Sequence, residues 1–357
     1  MSKASIISSQ AKIKVVGMGG AGCNAITRMV REQIHGVEFI AMNTDSAHLE
    51  ITEAPVRIEI GSKLTRGLGA GGDHNVGRRS AEEAREEIKQ ALAGADMVFL
   101  AAGMGGGTGT GAIAVVAEMA KQEGALTIAT VTKPFAFEGS RRLRVAEEAI
   151  SQLIPKVDTL IPIPNDRLLE LSDNKTSVDG AFKVADTILC QAVQAIAEVI
   201  TVPGMVNLDF ADVKAIMKDA GPAWMSVGTG SGQSRAVDAA KEALASPLLD
   251  VSIQGAKGVL FNVCGSHNLT LYEVSDAAKV VGQAVDPEAN IIFGVNVNPN
   301  MGNEVRLTLI ATGFASRDQI MGSARDRAIT KILKNLKTED DLAVPAYTRI
   351  KQGAYRS

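Results

Sequence analysis

Three glycine-rich stretches carry the residues whose types and spacing could do chemistry: GMGGAG (Gly17–Gly22), RGLGAGGD (Arg66–Asp73) and GGGTGTG (Gly105–Gly111). Backbone N–H groups free of side-chain obstruction can line phosphate oxygens, which is a use for glycine that offsets its entropy cost. Thr108 and Thr110 add hydroxyl donors to the third stretch. The first matches G-x-G-x-x-G between a strand and a helix, and Asp45 follows roughly 20 residues later, where a dinucleotide-binding unit keeps its ribose acid. A pyrophosphate needs one such turn. Three loops at one sheet edge suggest a longer polyphosphate held from several sides, with the helix from Ala112 turning its positive end toward it. One helix end contributes only about 0.3–2 kcal/mol, so a triphosphate needs converging loops and a metal ion. No G-x-x-x-x-G-K-[ST] occurs, so ordinary P-loop chemistry is excluded.

Other groups admit two readings each. Glu138 and Arg142 could contact a nucleotide or form an ordinary i,i+4 helix pair. Phe182 and Asp186 share a helix face, so one could stack on a base while the other reads its edge; they could equally be a core Phe and a surface Asp. A carboxylate there would select guanine, whose N1–H and N2–H₂ are adjacent donors, over adenine, whose N1 is an acceptor. In MVNLDFADVKAIMKDAG, Asn207, Asp209 and Asp212 precede an amphipathic helix and are either its caps or the hydrolytic group that the glycine loops lack.

The elements that must position these residues alternate. IKVVGMGGAGCNAITRMVRE reads as a buried strand (Ile13–Val16), a turn and a helix. VEFIAMNTD, ADMVFLAAG and LTIATVTKPF read as further strands and DTLIPIPNDRLLEL as strand and loop, with RRSAEEAREEIKQALAG and GSRRLRVAEEAISQLIPK as helices. This predicts an α/β fold with a mainly parallel sheet and helices on both faces, with ligands at the carboxyl ends of the strands. Asn174–Val202 reads as one long helix, apolar on both sides, as expected of a link between two domains. Beyond Pro203, KGVLFNVCGS, TLYEVSDAAKVVGQAV, NIIFGVNVNP and EVRLTLIATGF read as strand, helix, strand, strand of a smaller α+β domain. The expected division is a tail 1–10, a nucleotide domain 11–175, a linking helix 176–202, a second domain 203–316, a charged linker 317–340 and a terminal peptide 341–357.

Composition bounds the rest. Apolar residues are 46% of the 357, enough for a sizeable core, and a net charge of −3 argues against a general nucleic-acid binder. Cys23, Cys190 and Cys264 are scattered and odd in number, which fits a reducing compartment. The four His have no metal-ligand spacing. Neither an apolar run of membrane length nor a secretory h-region is read.

GGGTGTG, GGAGCN (Gly19–Asn24) and GMVNLDFADVK (Gly204–Lys214), in that order, resemble the tubulin/FtsZ family of GTPases over about residues 11–316. The resemblance implies GTP or GDP as the bound nucleotide, with Mg²⁺ held mainly by its phosphates. It places Gly20, Ala21, Gly22, Cys23 and Asn24 in a first phosphate-and-base loop, with Ala21 and Cys23 standing where the family often has Gly. Ala70, Gly71 and Gly72 would meet the γ-phosphate. Gly103, Gly105, Gly106, Gly107, Thr108 and Gly109 would wrap the α- and β-phosphates. Glu138 and Arg142 would contact ribose and phosphate, and Asn165, Phe182 and Asp186 would hold the base.

The resemblance also implies that the acid loop enters the pocket of the next subunit, where Asp209 and Asp212, helped by Asn207, polarise the attacking water. The protein would then be a head-to-tail polymer of the cytokinetic ring, cytoplasmic and at mid-cell. DLAVPAYTRIKQG (Asp341–Gly353) resembles the family's C-terminal peptide at Leu342, Val344, Pro345, Tyr347 and Arg349, implying membrane-tether and division-regulator partners without direct insertion of this chain. Its linker is short for the family. Two competing expectations are an NAD-dependent dehydrogenase, on G-x-G-x-x-G and Asp45, and a non-hydrolysing scaffold of the same superfamily. The multiple loops and the lack of an obvious catalytic His oppose the first; the acids at 209 and 212 oppose the second.

Overall fold

The structure, a computed structural model, describes residues 11–170, 177–201, 209–248 and 253–314. The terminal segments 1–10 and 317–357 of the expected division, and Asn207, lie outside the described residues. In chain order the elements are β1 (Ile13–Met18), α1 (Gly19–Arg31), β2 (Val37–Asn43), α2 (Ser46–Glu50), β3 (Val56–Glu59), α3 (Ser62–Thr65), α4 (His74–Glu83), α5 (Arg85–Leu92), β4 (Met97–Gly103), α6 (Thr108–Gln122), β5 (Leu126–Lys133) and α7 (Ser140–Leu153). They continue as β6 (Thr159–Pro164), α8 (Asn165–Glu170), α9 (Val178–Thr201), α10 (Phe210–Met217), β7 (Gly221–Pro222), β8 (Trp224–Ser231), α11 (Arg235–Ala245), β9 (Gly258–Gly265), α12 (Leu271–Ala284), β10 (Asn290–Val297) and β11 (Glu304–Thr312).

The first sheet has seven strands in the order β3-β2-β1-β4-β5-β6-β7. Every neighbouring pair is parallel. All strand starts therefore share one edge, and all strand ends, with their loops, share the other. Successive residues face opposite cores: Val15 and Phe99 pack with α1 and α9, while Val16, Val98 and Leu100 pack with α5, α6 and α7. Continuous burial along β1 and β4 is what helices on both faces require.

The second sheet has the order β10-β9-β11-β8. β9 and β10 are parallel, and β11 is antiparallel to β8 and β9. One face packs on α11 and α12. The other, through Met225, Leu260, Ile292 and Ile310, joins the core that holds α9 and α10. α9 is long and apolar enough to cross a membrane by length and composition, but it lies between the two sheets, with Leu189, Ala192, Val193 and Ile196 fully buried. The contact is close: a Cβ on Gly294 of β10 would lie 2.6 Å from the Val199 side chain.

Three expectations change. The charged helix of residues 78–94 is two helices, broken at Ala84 (φ −90°, ψ 14°) and beginning earlier at His74, where Asp73 caps it by accepting the Asn75 N–H at 2.8 Å. The helix expected from Ala112 starts at Thr108. The second domain also contains β8 and α11, which the apolar pattern did not signal. β8 carries Gly228 and Gly230 because α11 lies on it so closely that a Cβ at either would strike α11 backbone. Apolar alternation is thereby erased where packing is tightest.

Candidate functional site

The glycine loops meet at the strand-end edge. A cavity of about 320 Å³ is lined by Gly20 and Ala21 from the start of α1, Gly106–Gly109 from the β4–α6 loop, and Thr132, Glu138, Arg142 and Asn165. α1 and α6 both begin here. Neither has a side-chain cap, and neither has an acid in its first turn, so their first N–H groups are left for an anion. Gly19 leads into α1 at φ +69°, a left-handed conformation that favours glycine, and a Cβ there would lie 2.8 Å from the Gly109 N. The Ala70 methyl would lie 2.8 Å from a Cβ on Gly107, which brings the second and third loops together. Gly71, Gly72 and Gly105 line an adjoining cavity of about 450 Å³ with Asp73, His74, Arg141 and Arg142.

The glycines of GGGTGTG divide into two kinds. At Gly106 a Cβ would meet nothing within 4 Å. At Gly109 it would lie 3.0 Å from the Met18 O, and at Gly111 it would strike the backbone of α4 at His74. Gly109 lines the cavity and also lets α6 approach the ends of β1 and β4, while Gly111 serves packing against α4, a correction to reading the whole stretch as a phosphate loop. Gly22 and Cys23 are also packed against the sheet. A Cβ on Gly22 would lie 2.5 Å from the Ala101 O of β4, and the Cys23 side chain is buried, its thiol 3.8 Å from the Met42 O. Burial pushes the Cys23 thiol up to about 11, leaving it an unreactive thiol.

Glu138 and Arg142 pair at 2.6 Å and both line the cavity, but Glu138 ends a short turn that Gly139 (φ +98°) separates from α7, so they are not a pair along one helix. Glu138 also accepts the Phe135 N–H at 3.0 Å, pinning the turn before α7. Asn165 is 4% exposed, and its Oδ1 has no hydrogen-bond partner. A buried acceptor left open in the cavity wall fits a ligand donor, and the free helix N-termini and side-chain-free loops fit a polyphosphate. Among the described residues, no group of three or more His, Cys, Asp or Glu could hold a metal ion.

A third cavity of about 450 Å³ opens beside Asn24 and contains Arg28, Phe182 and Asp186. Phe182 is 40% exposed, so it is not a core residue. Its ring is edge-on to Phe135 at 5.3 Å, and Phe135 stacks on Phe137 at 4.9 Å. Asp186 is half-buried and makes no hydrogen bond or ion pair among the described residues; burial pushes its carboxyl up to about 6 against the pull of Arg28. Sequence reasoning missed the link from Asn24 to β2. His48 Nε2 lies 3.1 Å from the Asn24 Oδ1, and its Nδ1 lies 3.1 Å from the Asn43 amide. The Thr44 and Thr108 hydroxyls meet at 2.6 Å, tying β2 to the third loop. The carboxyl-end rule could have located Thr132, but no local motif marks His48 or Thr44. Asp45, the acid of the dinucleotide reading, is engaged as the cap of α2.

Asp209 and Asp212 are exposed and stand apart from these cavities. Asp209 occupies the cap position of α10 but makes no side-chain capping bond, so the capping reading fails for it. Both ends of the segment carrying them are anchored at the strand-start edge. Thr201, the last residue of α9, donates to the His35 O just before β2, and Thr159, the first residue of β6, donates to the Met217 O at the end of α10. The eight residues of α10 span about 12 Å, and the eight of β5 about 26 Å. Even with α10 aimed at the strand ends, more than about 10 Å would separate Asp209 from the cavity of its own molecule.

A sequence model of the Tubulin/FtsZ family GTPase domain matches residues 12–173, and one of the FtsZ family C-terminal domain matches residues 221–315. An FtsZ dimer from M. jannaschii superposes with a TM-score of 0.85 at 48% identity, covering 87% of this chain and 91% of that one. A point mutant of FtsZ from M. jannaschii gives 0.84 and 48%, covering 87% and 93%. CetZ2 from Haloferax volcanii, a GTPγS-bound protofilament, shares the fold with a TM-score of 0.74 at 20% identity, covering 90% and 99%.

Proposed function

This chain belongs to the tubulin/FtsZ family and is a GTPase that binds GTP and GDP, and from that premise we propose that it polymerises head-to-tail, each catalytic site being completed by the next subunit. One observation carries the reading: Thr201 and Met217, which bracket the Asp209–Asp212 segment, are bonded at the edge of the parallel sheet opposite the glycine cradle. Stacking two copies end on end brings one molecule's acids to the other's cradle. Such a contact is heterologous and does not close, so it propagates as a filament. The dimeric relative and the CetZ2 protofilament are consistent with it.

In this reading the N–H groups at Gly20, Ala21 and Gly105–Gly109, with the Thr108 hydroxyl and Arg142, hold the phosphates. Gly71 and Gly72 border the γ-phosphate. Phe182 stacks on guanine, Asp186 accepts its N1–H and N2–H, and the open Asn165 Oδ1 accepts a further donor. Asp209 and Asp212 of the neighbour, with Asn207, orient the water that attacks the γ-phosphorus in line as the bond to the β-phosphate oxygen breaks. Mg²⁺, bound mainly through the phosphates, supplies charge neutralisation. Loss of the γ-phosphate removes the group bridging two subunits and weakens the joint.

The same family role assigns the protein to the division ring in the cytosol at mid-cell, with tether and regulator proteins engaging residues 341–353. Phosphate release measured across protein concentration, alongside light scattering with GTP and with GDP, tests the proposal. Turnover per molecule rises from near zero above a threshold that coincides with scattering. Constant turnover per molecule down to a strictly monomeric preparation contradicts it.

The two kinds of glycine give a paired test of the cradle. Gly106→Ala leaves the thermal midpoint unchanged and weakens GTP binding at least about tenfold, because the methyl occupies ligand space. Gly111→Ala destabilises the protein by about 1–3 kcal/mol through overpacking against α4. Denaturation curves and GTP titration of both variants check this; equal loss of stability in both counts against the division.

A further inference from the structure

Asp186 is the odd carboxylate in its cavity. Each cation there already has an acid: Arg28 with Glu32 at 2.8 Å, Arg31 with Glu53 at 2.5 Å, and Lys183 with Asp179 at 2.6 Å. From α8, also packed on α9, Arg167 pairs with Glu170, and Asp166 accepts the Ala136 N–H. Asp186 pairs with none of these among the described residues.

Arg28 differs from the other two cations in being held from two sides. Its Nε donates to Glu32, which follows the end of α1, and its Nη1 reaches the Lys183 carbonyl on α9 at 3.5 Å. Glu32 is itself held, since the Cys190 thiol of α9 donates to its other oxygen at 3.2 Å. A chain from Cys190 through Glu32 therefore fixes the guanidinium in the cavity that Asp186 enters. A guanidinium stays charged throughout the physiological range, so its field on Asp186 is constant.

We infer that Arg28, braced by Glu32 and the Lys183 carbonyl, is a positioning residue for guanine recognition, acting through Asp186 by holding it as the ionised acceptor the base requires. This rests on Asp186 reading the guanine edge. Arg28 is the cation that opposes the burial of Asp186, and without it the carboxyl titrates at higher pH. Protonated Asp186 presents an O–H toward the N1–H of guanine and loses an acceptor. Recognition then weakens as pH falls, and Arg28 sets where.

The test is GTP affinity, by fluorescence titration of full-length protein from pH 5.5 to 8.5. Arg28→Gln binds GTP about eightfold more weakly than wild type at pH 5.5, about threefold at pH 6.5 and within about twofold at pH 8.5, as a shift of about one pH unit dictates. Arg28→Lys, which keeps the charge, recovers most of the loss at pH 6.5. A loss in Arg28→Gln that is equal at all pH values means direct contact with the nucleotide or a structural defect, and overturns the inference; so does an unchanged profile. The Asp186→Asn variant separates the two levels. If it fails to gain affinity for xanthosine triphosphate, the guanine-reading role itself is wrong and the inference falls with it. If it gains that affinity while Arg28→Gln keeps the wild-type profile, only the role of Arg28 is refuted.

Discussion

Asp212→Ala lowers GTP turnover about 10²–10⁴-fold, the usual range for removing a group that orients or activates the attacking nucleophile, while GTP affinity stays within about twofold. Asp209→Ala behaves alike. Both residues are exposed and lack hydrogen bonds to other described side chains, so their loss costs the fold little. The expected split between binding and turnover follows from placing the nucleotide and the acids at opposite edges of the sheet. Mixing makes the effect specific. Asp212→Ala binds GTP but lacks an acid; Asp186→Asn keeps its acids but binds GTP poorly. Neither turns over GTP alone, yet an equimolar mixture regains activity, because the cradle of the first meets the acids of the second. Co-sedimentation verifies that the two assemble together. A co-sedimenting mixture that stays inactive, or a monomer that is fully active, removes the shared site.

The second large effect is a change of base. Asp186→Asn replaces an acceptor-only group with one that donates and accepts. Guanine offers two donors and meets a mismatch; xanthine, with N1–H and a C2 carbonyl, matches the amide. Sites built on such hydrogen bonds discriminate strongly because a wrong partner leaves buried groups unpaired. GTP affinity falls about 10²-fold, and xanthosine triphosphate becomes the preferred ligand in competition titrations. Unchanged preference would show that Asp186 does not read the base.

The same carboxyl carries a pH signature. Its value in the folded protein, about 6, lies above the 3.8 of an ordinary aspartate. The folded state thus holds this proton more tightly than the unfolded chain, and on this account the stability of nucleotide-free protein falls as pH rises from about 4 to about 6. GTP binding has the opposite dependence, weakening as pH falls through about 6. Asp186→Asn abolishes both slopes, as melting curves and titrations across that range check.

Much of the nucleotide site was legible because phosphate binding imposes local demands. A backbone that must approach an anion excludes side chains, so Gly20 and Gly105–Gly107 appear as a pattern readable without neighbours. The strand and helix periods of the first domain were equally local, since a parallel sheet covered on both faces needs continuous apolar runs. β8 escaped because its glycines answer to α11, a distant segment, and not to the strand's own pattern. Gly111 was misread for the same reason: a packing glycine and a phosphate glycine look alike until the neighbouring helix is in place. His48, Thr44 and Arg28 carry no motif because their partners lie far along the chain or on another element.

By itself the sequence determined the alternating α/β core, the three glycine loops and the identity of the groups that could meet phosphate, base and water. Only tertiary structure decided where these groups stand relative to one another. All seven strands of the first sheet run the same way, so loops after strands collect at one edge, and Thr201 and Met217, on either side of Asp209 and Asp212, are anchored at the other. That separation arises from strand order and two long-range hydrogen bonds. Neither is encoded in any local run of residues, because each depends on chain segments that meet only after folding.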